Sequence, residues 1–289
     1  MLMAATSDST TFSGDNGIAL VGGTMPSLQA PIWDTNAGME SRALDFSGVT
    51  FPHEIMVTDQ LIDISTLNDA HRRLYLSLFR KIIEAYHQAR KPRLLVGLVG
   101  PTGSGKSVIA AILNVIAAQV PIGMRFETMG IDAFHYPNSV LLSRAVGKQT
   151  LKNFKGRFDT YDVAKLLSAL DDFSAGRKAS FPRYSRKTHD PVENAIAVGE
   201  SNALVVLEGL WLLRAEGSWA PVARHFDFSI FVYADPEKVR NMVVKRHVAG
   251  GRTIEEASAY YEAVDAENFD LVMQTRNRAT MEIPPYYSL

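Results

Sequence analysis

The segment "GPTGSGKS", residues 100–107, places glycines, a lysine and a hydroxyl at the spacing G-x-x-x-x-G-K-[S/T]. Glycines let backbone N–H groups turn inward around phosphate oxygens, and a following helix directs its positive end to the same point. In this pattern Lys106 reaches the β- and γ-phosphates, and Ser107 ligates Mg²⁺. We therefore predict a site for ATP and Mg²⁺. Its residues are Gly100, Pro101, Thr102, Gly103, Ser104, Gly105, Lys106, Ser107 and Val108.

Two acidic residues follow apolar runs and are candidates for catalysis beside Lys106. For Asp132, in "MGIDAFHYPN", the sequence leaves three alternative roles. It could take the proton of an acceptor hydroxyl, hold Mg²⁺ through water, or cap a helix. Glu208 ends the run "ALVVLEG", and a carboxylate at the end of a buried strand is costly without a partner. Near a phosphate loop its expected role is to hold magnesium together with Ser107, or to assist the attacking group.

A second set of residues is rich in hydrogen-bond donors and cations and is the predicted acceptor site. With Asp132, its members are His135, Tyr136, Asn138, Arg183, Tyr184, Arg186 and His189. Such a pocket favours a polyol or an acid-bearing hydroxyl compound, because buried donors left unpaired are costly. Arg183 and Arg186 suit a carboxylate or a phosphate. In a strand they face opposite sides, so we expect one of the two to reach the ligand.

Strands and helices must bring these residues together. Apolar runs predict strands at 94–99, 124–130, 203–209 and 226–234, and helices are predicted at 66–90, 107–119, near 162–172, and from 235 and 253 onward. This alternation predicts an α/β fold with a mostly parallel central sheet between helical layers; together with the phosphate loop, it leads us to expect a P-loop NTPase three-layer sandwich. Ser65 or Thr66 is the expected cap of the first helix. Ligands bind at the carboxyl edge of such sheets.

The chain is predicted to have three parts. Residues 1–62 are expected to form an irregular N-terminal extension, residues 63–92 a helix that packs on the core, and residues 93–289 the phosphate-loop domain, with a candidate lid around 236–255. Arg240 and Arg246 of the lid are candidate nucleotide contacts. A charged helix face that is only solvated is the alternative for these cations.

Composition excludes several classes of protein and partner. The chain has 289 residues and no cysteine, so disulfides and thiol chemistry are excluded. No apolar run reaches the length of a membrane span, and the start lacks the pattern of a signal peptide, so we expect a cytoplasmic protein. Residues 1–70 hold nine acids and one base, which leaves 29 basic and 22 acidic residues for the rest. This mild excess suits a small anionic ligand rather than nucleic acid, and the sequence allows a homodimer.

A phosphate loop alone does not say what happens to the γ-phosphate. A regulatory GTPase would carry an N-K-x-D segment, which this sequence lacks, and motors carry further nucleic-acid motifs that are also missing. A kinase needs a base for the acceptor hydroxyl and cations over the phosphates, and the chain has candidates for both. The alternative is a regulatory protein that binds nucleotide without transferring phosphate.

Five ordered motifs, "GPTGSGKS", "GIDAFHYPNSVLL", "KGRFDTYDVAKLLSAL", "FPRYSRKTHDP" and "VVLEGLWLL", resemble the phosphoribulokinase/uridine kinase family of P-loop kinases. The resemblance runs from about residue 93 to at least residue 268. It implies transfer of the γ-phosphate of ATP to a hydroxyl of a small molecule. It also implies that Asp132 is the general base and that the region from Arg240 to Arg252 is an arginine-bearing lid.

The motifs resemble different members of that family at different points. "DAFHYPN" is similar to pantothenate kinase, although Arg186 stands where that enzyme has a histidine. Tyr184 and His189 have the spacing by which uridine kinases hold a base. "HDP" and "EGLWLL" resemble sugar- or nucleoside-kinase-like members. For the acceptor we expect a sugar or sugar acid first, pantothenate second and a nucleoside third.

Overall fold

The computed structural model describes residues 44–199 and 201–286, in which strands and helices alternate along most of the chain. In chain order the strands are β1 (Glu54–Val57), β2 (Gln60–Asp63), β3 (Arg93–Val99), β4 (Arg125–Gly130), β5 (Ala145–Val146), β6 (Gln149–Thr150), β7 (Ala179–Ser185), β8 (Asp190–Val198), β9 (Ala203–Gly209), β10 (Phe228–Val232) and β11 (Met281–Ile283). The helices are α1 (Asp69–Ala89), α2 (Lys106–Ala117), α3 (Asn138–Ser143), α4 (Val163–Ser174), α5 (Pro236–Ala249), α6 (Ile254–Tyr260) and α7 (Ala266–Met273).

Five parallel strands form the central sheet, in the order β11-β10-β3-β9-β4. The middle strand, β3, is buried over its whole length, and a strand buried on both faces needs helices on both sides of the sheet. At the carboxyl edge, Val99 pairs with Gly209 and Glu208 pairs with Gly130. The ends of β3, β9 and β4 therefore lie side by side.

Two separate apolar cores lie on the two faces of the sheet. Leu94, Val96 and Leu98 of β3 pack in a core with α1 and α2. Leu95 and Val99 point the other way and pack in a core with α4. Successive side chains of a strand face opposite sides, so this single run supplies both cores. The predicted three-layer α/β sandwich with a mostly parallel sheet is confirmed.

The first helix begins slightly later than its predicted start. Asn68 caps α1, because its side-chain oxygen accepts hydrogen bonds from two backbone N–H groups of the first turn. The predicted caps, Ser65 and Thr66, do not fill this position. The backbone N–H of Ser65 instead donates to Asp63 Oδ1 over 2.7 Å, which ends the preceding strand in a turn.

Two longer antiparallel hairpins, together with the two-residue pair β5–β6, were not predicted from the sequence. The first, β1–β2, spans residues 54–63 and so covers the end of the extension 1–62 that was expected to be irregular; residues 1–43 lie outside the described part of the chain. Its strands have four residues each, and only Ile55 and Val57 are buried, so the alternation is too short to stand out. The second hairpin, β7–β8, contains Pro182 and a shift of register beside it, both of which weaken a strand pattern.

The lid region forms a third, smaller group of helices. Residues of α5, α6, the π-helical turn Tyr261–Asp265 and α7 pack on one another in a core of their own. This group extends to residue 273, beyond the predicted end of the lid near 255. Among the described residues, no helix is both long enough and apolar enough to cross a bilayer.

Candidate active site

The loop between β3 and α2 has the shape that phosphate binding requires. Gly103 and Gly105 have φ of +79° and +88°, in the left-handed region that favours glycine. Gly105 directly precedes α2, and no side chain caps this end of the helix. The first N–H groups of α2 are therefore left to a ligand in the loop, where the helix dipole favours an anion.

Lys106 lies inside this loop rather than on the surface. Its side chain is buried, and Nζ donates a hydrogen bond to the carbonyl of Pro101 over 2.9 Å. Burial lowers the pKa of Lys106, and the carboxylates of Glu208 and Asp132 oppose that effect. The ammonium group is therefore held close to both acidic residues that the sequence singles out.

Glu208 and Ser107 meet at the edge of the sheet. The Ser107 hydroxyl donates to Glu208 Oε1 over 2.7 Å. Burial raises the pKa of Glu208, while Lys106 and the Ser107 hydrogen bond hold it down. Hydroxyl and carboxylate oxygens are the ligands that Mg²⁺ prefers, and a cation would relieve the burial of this carboxylate. The two residues therefore fit a magnesium ion.

Asp132 lies in the short 3₁₀ segment Ile131–Phe134 that follows β4. Its side chain is exposed and caps no helix; Gly130 stands at the cap position of the segment. The Tyr161 hydroxyl donates to Asp132 Oδ1 over 3.3 Å, and burial raises the pKa of that tyrosine well above its usual range, with Asp132 adding to the effect. Tyr161 therefore stays protonated and orients the carboxylate.

His135 is buried in a cluster of polar and aromatic side chains beside Asp132, which forms the candidate acceptor pocket. Its ring centroid is 3.8 Å from that of Tyr161 and 6.1 Å from that of Tyr184. Burial lowers the pKa of His135 to about 4, against the opposing charge of Asp132, so the ring is neutral near pH 7. Nδ1 lies 2.9 Å from the backbone carbonyl of Asp132 and must donate to it. Nε2, buried and without a partner in the described structure, is then a hydrogen-bond acceptor.

Lys155, which sequence reasoning did not select, brings an ammonium group to this pocket. Its Nζ donates to the backbone carbonyl of His189 over 2.6 Å and to Asn138 Oδ1 over 3.3 Å, and it lies 5.1 Å from the ring centre of Tyr184. Burial lowers the pKa of Lys155, and the nearby carboxylates of Asp190 and Asp132 oppose this.

The segment that carries Lys155 is fixed by two buried tryptophans. The indole N–H of Trp211 donates to the carbonyl of Gly156, and that of Trp219 to the carbonyl of Phe158. Lys155 belongs to the quoted motif "KGRFDTYD", so the motif held the signal although its role was not assigned. Two other lysines near it in the chain, Lys148 and Lys152, are exposed.

Comparison with known proteins identifies the family. The sequence matches the Phosphoribulokinase / Uridine kinase family over residues 95–286, which is about two thirds of the chain. The chain belongs to this family. Membership makes the protein a P-loop kinase of the phosphoribulokinase/uridine kinase family, which confirms the resemblance seen in the motifs.

Two relatives illustrate the range of this similarity. The uncharacterized protein YggC of Escherichia coli (strain K12) is 36% identical over 189 residues, which cover 65% of this chain and 76% of YggC. Pantothenate kinase of Agrobacterium fabrum is 31% identical over 201 residues, 62% of this chain and 61% of that enzyme. The chain therefore spans about three fifths of the length of this pantothenate kinase.

Solved structures agree on the fold. A candidate fructose transport system kinase from Silicibacter sp. TM1040 has a TM-score of 0.62 at 24% identity and covers 71% of this chain and 98% of its own. YFH7 from Saccharomyces cerevisiae, a candidate P-loop kinase with a circular permutation, has a TM-score of 0.60 at 16% identity and covers 73% and 98%. At these identities the likeness concerns architecture alone.

The lid of this kinase contacts the phosphate loop through apolar side chains. A Cβ on Gly103 would lie 3.1 Å from Val243 and 3.5 Å from Val239, so α5 packs directly on the loop. Burial lowers the pKa of Lys106, and the positive charge of Arg246 lowers it further, so the two cations influence each other. Arg240, the other lid candidate, instead pairs with Glu262 over 3.0 Å and does not join the loop.

The remaining acceptor candidates are divided between the pocket and its surroundings. Asn138 joins the pocket through Lys155, and its backbone N–H donates to Asp190 Oδ1 over 2.7 Å. Tyr136 stacks on Arg144, whose Cζ lies 3.9 Å from the ring centre. The His189 side chain is exposed, with φ of +53°, and only its carbonyl contacts the pocket.

Tyr184, Arg183 and Arg186 lie together near the tip of β7–β8 with different orientations. Tyr184 faces His135, and Arg183, the preceding strand residue, is exposed on the other side. Arg186 follows the strand and hydrogen-bonds to Asp59 and Gln60 in the β1–β2 turn. Sequence spacing could not anticipate this contact, because it joins residues more than 120 positions apart.

Proposed function

We propose that the protein transfers the γ-phosphate of ATP to a hydroxyl group of a small hydroxy acid, such as a sugar acid or pantothenate. The observation that carries this proposal is the position of one carboxylate. Asp132 follows Gly130, which pairs with Glu208 beside the phosphate loop, and it contacts Tyr161 and His135 of the pocket. A base for phosphoryl transfer must reach both the acceptor hydroxyl and the phosphate end of the site.

The pocket chemistry supports an acid-bearing acceptor. Lys155 offers an ammonium group, and His135 offers a neutral acceptor nitrogen that suits a second hydroxyl. Arg186 adds a guanidinium at the rim. Cations that hold a carboxylate form stronger hydrogen bonds than neutral donors do. A nucleoside fits less well, because the His189 side chain that would hold its base is exposed.

The proposed step moves one phosphoryl group and one proton. The acceptor oxygen forms a bond to the γ-phosphorus, and the bond from that phosphorus to the β–γ bridging oxygen breaks, which releases ADP. The hydroxyl proton passes to Asp132, which is exposed and can return it to water. Lys106, the N–H groups of the loop and Arg246 stabilise the charge on the transferred group.

Ser107 and Glu208 are the residues that would hold Mg²⁺ in this reaction. The metal, when bound, neutralises charge on the β- and γ-phosphate oxygens. The chain's own part is to place a hydroxyl and a carboxylate beside the loop, and to keep the carboxylate in its charged form with Lys106.

The test is release of ADP from MgATP with and without hydroxyl compounds. The panel contains pantothenate, D-gluconate, D-glycerate, glucose and uridine. We expect one of the acids to raise the rate at least about 100-fold over hydrolysis, because a base and a positioned acceptor act only when the acceptor is present. Slow hydrolysis that no compound stimulates would favour the alternative, a regulatory nucleotide-binding protein.

A further inference from the structure

The turn between β1 and β2 contacts the tip of the β7–β8 hairpin at Arg186. Asp59 Oδ2 accepts the backbone N–H of Arg186 over 3.0 Å. Gln60 Oε1 accepts a hydrogen bond from Arg186 Nη1, also over 3.0 Å. The backbone and the guanidinium of one arginine are therefore held by two adjacent residues of a distant hairpin.

These two contacts have different chemical consequences. Asp59 Oδ1 lies 3.9 Å from Arg186 Nε, at the limit of an ion pair, and both side chains are partly exposed. Asp59 therefore acts chiefly on the backbone. Gln60 is neutral, so it fixes the direction of the guanidinium and leaves its positive charge for another partner.

The guanidinium belongs to the side of the hairpin that faces the pocket. Arg186 stands two residues after Tyr184, whose ring centroid lies 6.1 Å from that of His135, and residues two apart along a strand share a face. Burial raises the pKa of Tyr184, and the charge of Arg186 opposes that shift. Arg183, one residue before Tyr184, is exposed on the opposite face. Arg186 is thus the arginine of the pair that faces the site.

The hairpin that holds Arg186 lies outside the part of the chain that matches the family, which begins at residue 95. It is nevertheless attached to the domain core, because Ile55 and Val57 are buried with α1 and α2. We propose that β1–β2 completes the acceptor site: Gln60 and Asp59 are positioning residues that aim Arg186 at the acid group of the acceptor. This inference rests on the proposed function.

Charge is the property that the test must change. In Gln60→Glu a carboxylate of nearly the same size replaces the amide beside Arg186. This carboxylate forms an ion pair with the guanidinium, so the guanidinium is less available to an acid group of the acceptor. Arg186→Met removes the charge outright. Glu54→Gln, at the other end of the same hairpin, is the matched control, since Glu54 is exposed and has no part in the contact.

The experiment measures KM for an acid and for its neutral counterpart. The pairs are D-gluconate with sorbitol, pantothenate with panthenol, and D-glycerate with glycerol; the pair with the highest wild-type rate is used. We expect Gln60→Glu and Arg186→Met to raise KM for the acid about 10-fold or more, since a charge-assisted hydrogen bond is lost. KM for the neutral compound and for ATP, and the melting temperature, should remain near wild type, as should every value for Glu54→Gln.

A second pair of variants separates positioning from folding. Asp59→Asn keeps an oxygen for the Arg186 N–H and should retain most of the preference for the acid, whereas Asp59→Ala should lose it. Equal effects of Gln60→Glu on the acid and on its neutral counterpart would overturn the proposal, as would no effect at all. A wild-type enzyme that none of the six compounds stimulates would instead overturn the proposed function, and this inference with it.

Discussion

The Ser107 hydroxyl donates a 2.7 Å hydrogen bond to Glu208 Oε1 and so joins the start of α2 to the end of β9. The two residues stand 101 positions apart in the chain, and parallel pairing of β3 with β9 brings them together. Neither side-chain oxygen takes part in the pairing of the strands. Their position beside Lys106 is therefore best explained by the binding of a metal cation.

Removal of either oxygen should weaken the response to magnesium. We expect Ser107→Ala and Glu208→Gln each to raise the Mg²⁺ concentration for half-maximal rate by at least about 10-fold, as is usual when the surroundings of a metal site lose a partner. The measurement is a Mg²⁺ titration at saturating ATP. Ser168→Ala, on the exposed face of α4, is the control; an unchanged midpoint in both site variants would contradict the assignment.

The burial of Glu208 also predicts how stability depends on pH. Its pKa is raised in the folded protein, so the folded state binds this proton more tightly than the unfolded chain does. Stability from this group is present at low pH and is lost as pH rises through the raised pKa. We expect the stability of Glu208→Gln relative to wild type to rise between pH 4 and pH 8, measured as the difference in melting temperature. A relative stability that falls over this range would contradict the raised pKa.

The nucleotide half of the site could be derived from the sequence for a physical reason. A strand buried on both faces is a continuous apolar run, and the phosphate loop directly follows it, so residues 94–107 reveal both the element and its chemistry. The alternation of apolar runs with helices then predicts the mostly parallel sheet. The hairpins and the short edge strand β11 were not predicted; in β1–β2, for example, four-residue strands in polar surroundings leave little periodicity.

Loss of the loop lysine should abolish catalysis without unfolding the protein. Lys106 is the ammonium group within the loop itself, so Lys106→Ala should reduce turnover by at least roughly 10³-fold, as for other groups that stabilise transition-state charge. ADP release is the measurement, and far-UV circular dichroism checks the fold. Lys178→Ala, on the surface, is the control. Turnover equal to wild type would refute the phosphate-loop assignment.

Acid should destabilise the protein through His135. Its folded pKa is about 4, below the ordinary value of 6.5, so its contribution is fully present above about pH 6.5 and is lost as pH falls toward 4. The difference corresponds to about 3 kcal/mol. Between pH 7 and pH 4 wild type should therefore lose about that much more unfolding free energy than His135→Asn, measured by denaturant titration. Parallel losses in both proteins would mean that His135 is not held neutral.

The acceptor half of the site could be derived only in part. Tyr184 and Asn138 come from the motifs, but Lys155 enters through a segment that two tryptophans hold in place. Arg186 is fixed by residues of another hairpin. Such contacts depend on tertiary packing between distant segments, which no local spacing encodes. For the same reason Arg240, selected by its place in the lid, turns instead to Glu262.

The carboxylate of Asp132 should matter for the rate and little for the fold. It accepts a hydrogen bond from Tyr161 and caps no helix. We expect Asp132→Asn to lower kcat by roughly 10²–10⁴-fold, which is the usual contribution of general-base catalysis to the rate. The melting temperature and the affinity for ATP should remain nearly unchanged. Asp270→Asn, on the exposed side of α7, is the matched control. A fall in melting temperature with kcat intact would mean a structural role.

The most direct test follows the γ-phosphate itself. Wild-type protein is incubated with MgATP labelled with ³²P at the γ position and with the stimulating hydroxy acid, and the products are separated. We expect label in the acid in a one-to-one ratio with the ADP formed, and almost none as inorganic phosphate. In Asp132→Asn this transfer should be lost while ATP still binds. Label that appears only as inorganic phosphate in wild type would contradict phosphoryl transfer to a hydroxyl.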